Sequence, residues 1–290
     1  MLKKAIIPIA GFGTRFLPLS KAVPKEFLPL ADKPIIRYLL EEALSANIKE
    51  IIFIVRPGKK EEILEYFKKS PKLEKILKER KKEQLLAELK TLEEFSKNFK
   101  FSFVNQRKPL GDGHAILQAK KLIGKEPSGV FFVDDVIDSK ISCFSQLLQI
   151  FKTCQKPIVA LKKLPKEKLP AYGVAAVEKI ASRVYKIKKI VEKPSIDSVS
   201  SDLAVAGRYI ITPEVFDYLG KLSPNQRGEI ILADALEQMI KDGKMVYGKA
   251  IEGEWLECGD KLRWLHSHLY FSLKHPKYGP ELKKYLKEMI

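Results

Sequence analysis

Hydrophobic and polar positions group into two kinds of block along this chain. Ala5 to Ala10 is an unbroken apolar run that stops at Gly11. It reads as a buried strand opening into a turn. After Pro34, residues Ile35, Ile36, Leu39, Leu40, Ala43 and Leu44 fall at helical spacing, and Asn47 follows near the end. A helix is expected over Ile35 to Leu44, with proline at its first turn. Glu50 to Val55 is a second buried strand. Strand, loop, helix and strand in that order form the unit of a parallel sheet. Ligands of such sheets sit at the carboxyl ends of the strands, which is where the Gly11 loop falls.

The pattern continues downstream. Lys59 to Lys100 is dense in Lys and Glu, with one apolar stripe at Ile63, Leu64 and Phe67 and another running from Leu73 to Leu92. Two helices are expected there, each exposed on one side. Phe101 to Gln106 and Gly129 to Asp135 read as strands, the second ending in two acids. Between them Gly111 and Gly113 mark a tight turn before a helix starting near His114. Pro157 to Leu161 and Leu203 to Ile211 are further strands, and Gly228 to Asp234 opens a helix. Helical spacing returns in Leu262, Leu265, Leu269 and Leu273, then in Leu282, Tyr285 and Leu286. The expected fold is α/β, with a doubly wound, mixed but mostly parallel sheet. One domain is expected over residues 1–260, with residues 261–290 as its C-terminal helical extension.

Composition narrows the function. The 290 residues, 45% of them hydrophobic, can bury a large core. No apolar run approaches the roughly 18 residues of a membrane span. The apolar stretch after Lys3 and Lys4 is short and runs straight into the glycine loop, so export is not expected. Three widely spaced cysteines fit a reducing cytoplasm. The formal charge of +17 could suit nucleic acid or anionic small molecules. Its lysines are interleaved with glutamates, however, and no basic repeat is interleaved with aromatics. Nucleic acid and membrane are therefore not expected partners.

The candidate chemistry begins at Gly11. A strand opening into a glycine loop brings backbone N–H groups against phosphates, and Arg15, Lys21 and Lys25 supply cations. No Walker A run is present, and Phe16 stands where a dinucleotide fingerprint needs its third glycine. Gln106 carries a donor and an acceptor that suit the edge of a uracil. Asp134 and Asp135, paired near an anionic site, suggest magnesium. Glu192 and Lys193 would face opposite ways in a strand, but at a strand end both can reach one ligand. His266 and His268 are two apart, wrong for one helix face, and are rejected as a metal pair.

The stretch G-F-G-T-R-x-L-P-x-S-K-x-x-P-K-E, Gly11 to Glu26, resembles the signature of the nucleotidyltransferases that make sugar nucleotides. The P-K-E ending followed by F-L-P-L-A-D-K-P looks most like their prokaryotic glucose uridylyltransferase branch. Further matches run in the family's order: Gln106 to Ala115, the strand ending at Asp134, Y-G-V at Tyr172, V-E-K-P at Val191, G-R-Y at Gly207 and G-E-I at Gly228. The resemblance implies a Rossmann-like nucleotidyltransferase fold and a cytoplasmic enzyme using UTP, glucose 1-phosphate and Mg2+, active as a homo-oligomer (dimer or tetramer). It assigns Ala10, Gly11, Gly13, Thr14, Gln106 and Gly111 to the nucleotide, and Arg15 and Lys25 to the triphosphate. Asp134 would bind the metal, Gly173 and Glu192 the sugar, and Lys193 the sugar phosphate. Arg208 is read as structural, tied to an acid in the core, and Glu229 and Asp234 as supporting the site from behind. In W-L-E-C-G-D the acid is Glu257, and Asp260 replaces the family's Asn, so Glu257 is not assigned as a second metal ligand.

Overall fold

The computed structural model describes residues 2–199 and 201–289. The first strand, β1 (Lys4–Pro8), is followed by a loop with three short 3-10 turns and by the two-residue strands β2 (Pro29–Leu30) and β3 (Lys33–Pro34). Then come α1 (Ile35–Ser45), β4 (Glu50–Val55), α2 (Lys60–Phe67), α3 (Pro71–Glu79), α4 (Glu83–Ser96) and β5 (Lys100–Asn105). The middle of the chain forms α5 (Asp112–Gln118), α6 (Lys120–Ile123), β6 (Ser128–Phe131), β7 (Asp135–Asp138), α7 (Cys143–Cys154) and β8 (Ile158–Lys163). β9 (Gly173–Ala181), β10 (Val184–Glu192) and β11 (Leu203–Ile211) precede α8 (Pro213–Lys221) and α9 (Leu232–Lys241). The chain closes with β12 (Tyr247–Ala250), β13 (Glu254–Glu257), α10 (Lys261–Lys274) and α11 (Gly279–Met289).

Nine strands form the main sheet in the order β5-β4-β1-β6-β11-β8-β12-β10-β9. β5, β4, β1 and β6 run parallel, as do β8 and β12. β11 is antiparallel to both of its neighbours in that order, and β10 to both of its own. Parallel and antiparallel neighbours are four each, so the sheet is evenly mixed where a mostly parallel one was expected, and the continuous parallel block from β5 to β6 carries the glycine loop.

Alternation along the strands winds the sheet on both faces. Ala5 and Ile7 of β1, with Ile51, Phe53 and Val55 of β4, join a core shared with α1 and α7. Ile6, Ile52 and Ile54 point the other way, into a core shared with α5, α8 and α9. The helix expected after Pro34 forms as α1, and Asn47 closes it in the left-handed region at φ 60°.

Two further expectations change. Lys59 to Lys100 holds three helices rather than two. The second stripe, from Leu73 to Leu92, is divided between α3 and α4, because the backbone breaks at Lys81, which has φ 53°. The strand expected over Gly129 to Asp135 ends at Phe131. Phe132 to Asp134 leaves the sheet, and Asp135 opens β7, which pairs with β13 in a separate ladder. The apolar run hid this exit because Phe132 and Val133 continue it. At this exit the Arg208 guanidinium of β11 donates to the carbonyls of Phe132 (3.0 Å) and Asp135 (2.7 Å), which the ladder does not use.

The helices α10 and α11 follow β13 directly. α10 is tied to the main body, since Trp264 Nε1 donates to Pro29 O at 3.0 Å and its ring meets Phe16 edge-on.

Candidate active site

The carboxyl end of β1 delivers Ala10 and Gly11 to the rim of a cavity of about 390 Å3. Thr14, Arg15, Lys25, Gln106 and Gly111 line the same cavity. Gly13 does not, and turns behind the loop against Ser20. Gln106 is buried and donates from Nε2 to Gly111 O at 2.9 Å. Its amide nitrogen also lies 3.0 Å from His114 Nδ1. The donor expected to read a base is therefore engaged inside the turn, and Oε1 is the group left for a ligand. Gly111 has φ 94°, and a Cβ there would meet Ile230 O at 2.6 Å. Only glycine lets this turn close on the segment before α9. That segment is also held by Asp112, whose Oδ1 accepts from Leu232 N at 2.8 Å. Burial pushes the Asp112 carboxyl up to about 7.

A second cavity, of about 200 Å3, adjoins the first and shares Arg15, Asp112, Phe132 and Asp134 with it. Asp134 stands at this junction. Its Oδ1 accepts from Lys25 Nζ and its Oδ2 from Arg15 at 3.3 Å. Its carbonyl accepts from Cys258 N at 2.6 Å, which ties the loop to the end of β13. Asp135 points away from this pair of cations. Trp255 Nε1 donates to its Oδ1 at 2.6 Å. Its Oδ2 lies where a Cβ on Gly207 would sit, 2.0 Å away. Desolvation pushes Asp135 up to about 7, with Arg208 offsetting part of the rise and Asp134 adding to it.

The far side of the second cavity is built by β9 and β10. Gly173 pairs with Glu192 across the ladder, and a Cβ on it would lie 3.0 Å from Glu192 Oε2. Glu192 ends β10, and Lys193 then adopts φ 50°, the left-handed region. Lys193 N donates to Tyr172 O at 2.9 Å. This single backbone reversal brings two adjacent side chains to one cavity, as the sequence required. Burial raises the Glu192 carboxyl, with Lys193 and Arg227 acting against the rise.

All the residues that the resemblance assigns except Gly13 therefore line the two joined cavities; Gly13 shapes their loop, and Lys21, the third cation expected, lines neither. Glu229 lines the first cavity. Asp234 lies on α9 outside both. Arg208 is structural as expected: fully buried, its Nε donates to Glu42 Oε2 at 3.0 Å. Three lining groups escaped the sequence reading. Asp112, set between two glycines at the start of α5, carries a signal only as a helix-start acid. Arg263 of α10 donates to Glu257 Oε1 at 2.7 Å, while Tyr172 O–H donates to Oε2. Trp255 holds Asp135. No local motif announces Arg263, and the W-L-E-C-G-D run that opens with Trp255 does not show what its ring holds, because tertiary contact alone gives both residues their place. With both oxygens occupied, Glu257 forms part of the cavity wall.

The family described as Nucleotidyl transferase matches residues 4–268. A UTP–glucose-1-phosphate uridylyltransferase of Staphylococcus haemolyticus is 38% identical over 288 residues, covering 99% of this chain and 98% of that protein. The solved structure of a UTP-bound UGPase from Acinetobacter baumannii superposes with a TM-score of 0.91 at 33% identity, over 100% of both chains. A UDP-glucose pyrophosphorylase complexed with UDP-glucose superposes with a TM-score of 0.85 at 35% identity, over 95% of this chain and 100% of that one.

Proposed function

The chain belongs to the nucleotidyl transferase family, and from that premise we propose that it is a UTP–glucose-1-phosphate uridylyltransferase. It joins UTP and glucose 1-phosphate to give UDP-glucose and pyrophosphate. The observation that carries this reading is the placement of Asp134, Arg15 and Lys25 where two cavities meet, with Glu192 and Lys193 across the second.

The reaction needs no protein nucleophile. An oxygen of the sugar phosphate attacks the α-phosphorus of UTP in line, and pyrophosphate leaves. Placement and charge neutralisation supply the catalysis. Uracil lies in the first cavity, its N3–H facing Gln106 Oε1, with backbone from Ala10 to Thr14 and at Gly111 around the nucleotide. Arg15 and Lys25 hold the triphosphate. Lys193 holds the sugar phosphate, and Glu192 and the backbone at Gly173 hold the glucose hydroxyls.

Asp134 holds Mg2+ in this reading. Among the described residues no group of three or more His, Cys, Asp or Glu side chains converges as a metal cage. That suits magnesium, which takes one or two carboxylates and completes its shell with substrate phosphates and water. When held by Asp134, the ion would supply charge neutralisation at the phosphates. Arg15 and Lys25 flank Asp134, which would place both cations beside the same phosphates.

Residues 1–260 form the catalytic domain and 261–290 its helical extension. α10 leaves Leu262, Leu265 and Leu269 exposed on one face, at 62%, 51% and 41%. Such an apolar stripe suits a subunit contact, and we assign it to a homo-oligomer, dimer or tetramer, in the cytoplasm.

A panel of UTP and dTTP against glucose and galactose 1-phosphates, read by pyrophosphate release, tests the activity. UTP with glucose 1-phosphate should give the highest kcat/KM. Faster turnover of dTTP would make the protein a thymidylyltransferase, and no release with any pair would remove the enzymatic reading.

A further inference from the structure

We propose that a third, basic cavity beside the glycine loop, lined by Lys21, Arg56 and Lys59, receives the departing pyrophosphate. The cavity measures about 330 Å3 and also takes in Phe12, Thr14 and Ser20. No carboxylate lines it. The inference rests on the uridylyltransferase reading and adds a subsite to it.

The three cavities lie in a definite order. The sugar-side cavity and the nucleotide cavity share four residues. The nucleotide cavity and the basic cavity share Phe12 and Thr14. The sugar-side and basic cavities share none. The nucleotide cavity therefore lies between the other two. In-line displacement demands the same order of reacting groups. The bond from the sugar phosphate oxygen to the α-phosphorus forms on one side. The bond from the α-phosphorus to the bridging oxygen breaks on the other, and that oxygen keeps the electron pair. The leaving group therefore moves away from Lys193 and toward the basic cavity.

The lining suits that cargo. Pyrophosphate presents several anionic oxygens, and guanidinium and ammonium groups are its natural donors. Arg56 directly follows β4, at the same carboxyl edge of the sheet as the glycine loop. Its guanidinium carbon lies 4.7 Å from the centre of the exposed Phe12 ring. That cation–π contact positions the fork without using up its N–H donors. Lys59 is partly offset by its ion pair with Glu62, whereas Lys21 and Arg56 make no ion pair among the described residues. The strongest unspent donor is thus Arg56, on a residue that none of the sequence motifs includes.

The test uses wild type, Arg56→Ala, Lys59→Ala and the charge-keeping Arg56→Lys, assayed in both directions. In pyrophosphorolysis, Arg56→Ala should raise the KM for pyrophosphate about tenfold, as expected for loss of a charge-assisted hydrogen bond. In synthesis, inhibition by added pyrophosphate should weaken by the same factor. The KM for UDP-glucose should stay within twofold, Lys59→Ala should show a smaller effect of the same kind, and Arg56→Lys should recover part of the loss. Thermal midpoints report folding; if Arg56→Ala does not fold, Lys59→Ala and Arg56→Lys carry the same comparison. Unchanged pyrophosphate constants in an active enzyme overturn the subsite alone. An equal rise in the UDP-glucose constant also overturns it, because it would show a general field rather than a subsite. A wild-type protein inactive in both directions removes the uridylyltransferase reading, and the subsite with it.

Discussion

Lys193 joins backbone strain to substrate charge in one residue. Its φ of 50° is unusual for a residue with a side chain and costs roughly 1–3 kcal/mol unless the surroundings enforce it. Here the bond from its N–H to Tyr172 O enforces it. Two anions at contact distance repel by roughly 4 kcal/mol per unit-charge pair at 4 Å and an effective dielectric of 20. An ammonium between sugar phosphate and UTP offsets that repulsion. Lys193→Ala should therefore lower kcat at least about a hundredfold with any sugar phosphate. Lys193→Gly should lose the same turnover but keep more stability, since glycine accepts this φ freely. Glu192→Ala should instead raise the KM for glucose 1-phosphate and narrow the preference for glucose over galactose, at roughly 1.5–3 kcal/mol per lost bond to the charged group. Steady-state kinetics on both sugars, with thermal melts, separates the roles; normal turnover in Lys193→Ala would dismiss the phosphate assignment. The identities of these residues were legible in V-E-K-P. The reversal that turns both toward one cavity was not, because it depends on a carbonyl contributed by Tyr172.

At the scale of elements, the decisive piece is the short connection from β6 to β7 that carries Asp134. Arg208 of β11 spans it, donating to the carbonyls of Phe132 and Asp135 while its Nε is held by Glu42 of α1. Glu42 Oε1 in turn accepts from Phe144 N at the start of α7. This buried network joins both helices of one face to the catalytic loop. Removing one member leaves the other charge buried and alone, a loss of roughly 3–5 kcal/mol. Arg208→Met should accordingly lower the denaturation free energy by about that amount, and Glu42→Met,Arg208→Met together should recover part of it. Chemical denaturation of the two variants checks this; a double variant no more stable than Arg208→Met would show that the pair does not act as a unit. The strand–helix–strand unit from β1 through α1 to β4 was readable from periodicity alone. The break after Phe131 was not, since the apolar run continues while the carbonyls that leave the ladder answer to a distant guanidinium.

For the whole molecule, two consequences follow from how the layers close. The stripe of Leu262, Leu265 and Leu269 is left uncovered by the chain's own packing. If it joins subunits, Leu265→Glu should convert an oligomer to monomer in light scattering at micromolar concentration, with the catalytic cavities intact. A wild-type monomer at high concentration would dismiss the assignment. The second consequence concerns the origin of the site. The amino-acid order fixed the α/β class, the glycine loop at the carboxyl end of β1, the family and those lining residues that its motifs contain. Each of these depends on local chemistry: apolar periodicity, glycine at a tight turn, charged residues at fixed spacing from it. Tertiary structure alone decided that Asp134 would stand between Lys25 and Arg15, which precede it by 109 and 119 positions. It also brought Arg263 and Trp255 to the cavity wall and set the order of the three cavities. These are contacts between strands and helices remote in sequence. They are chosen by the folded core as it excludes water from both faces of the sheet, and no short stretch of residues carries that information.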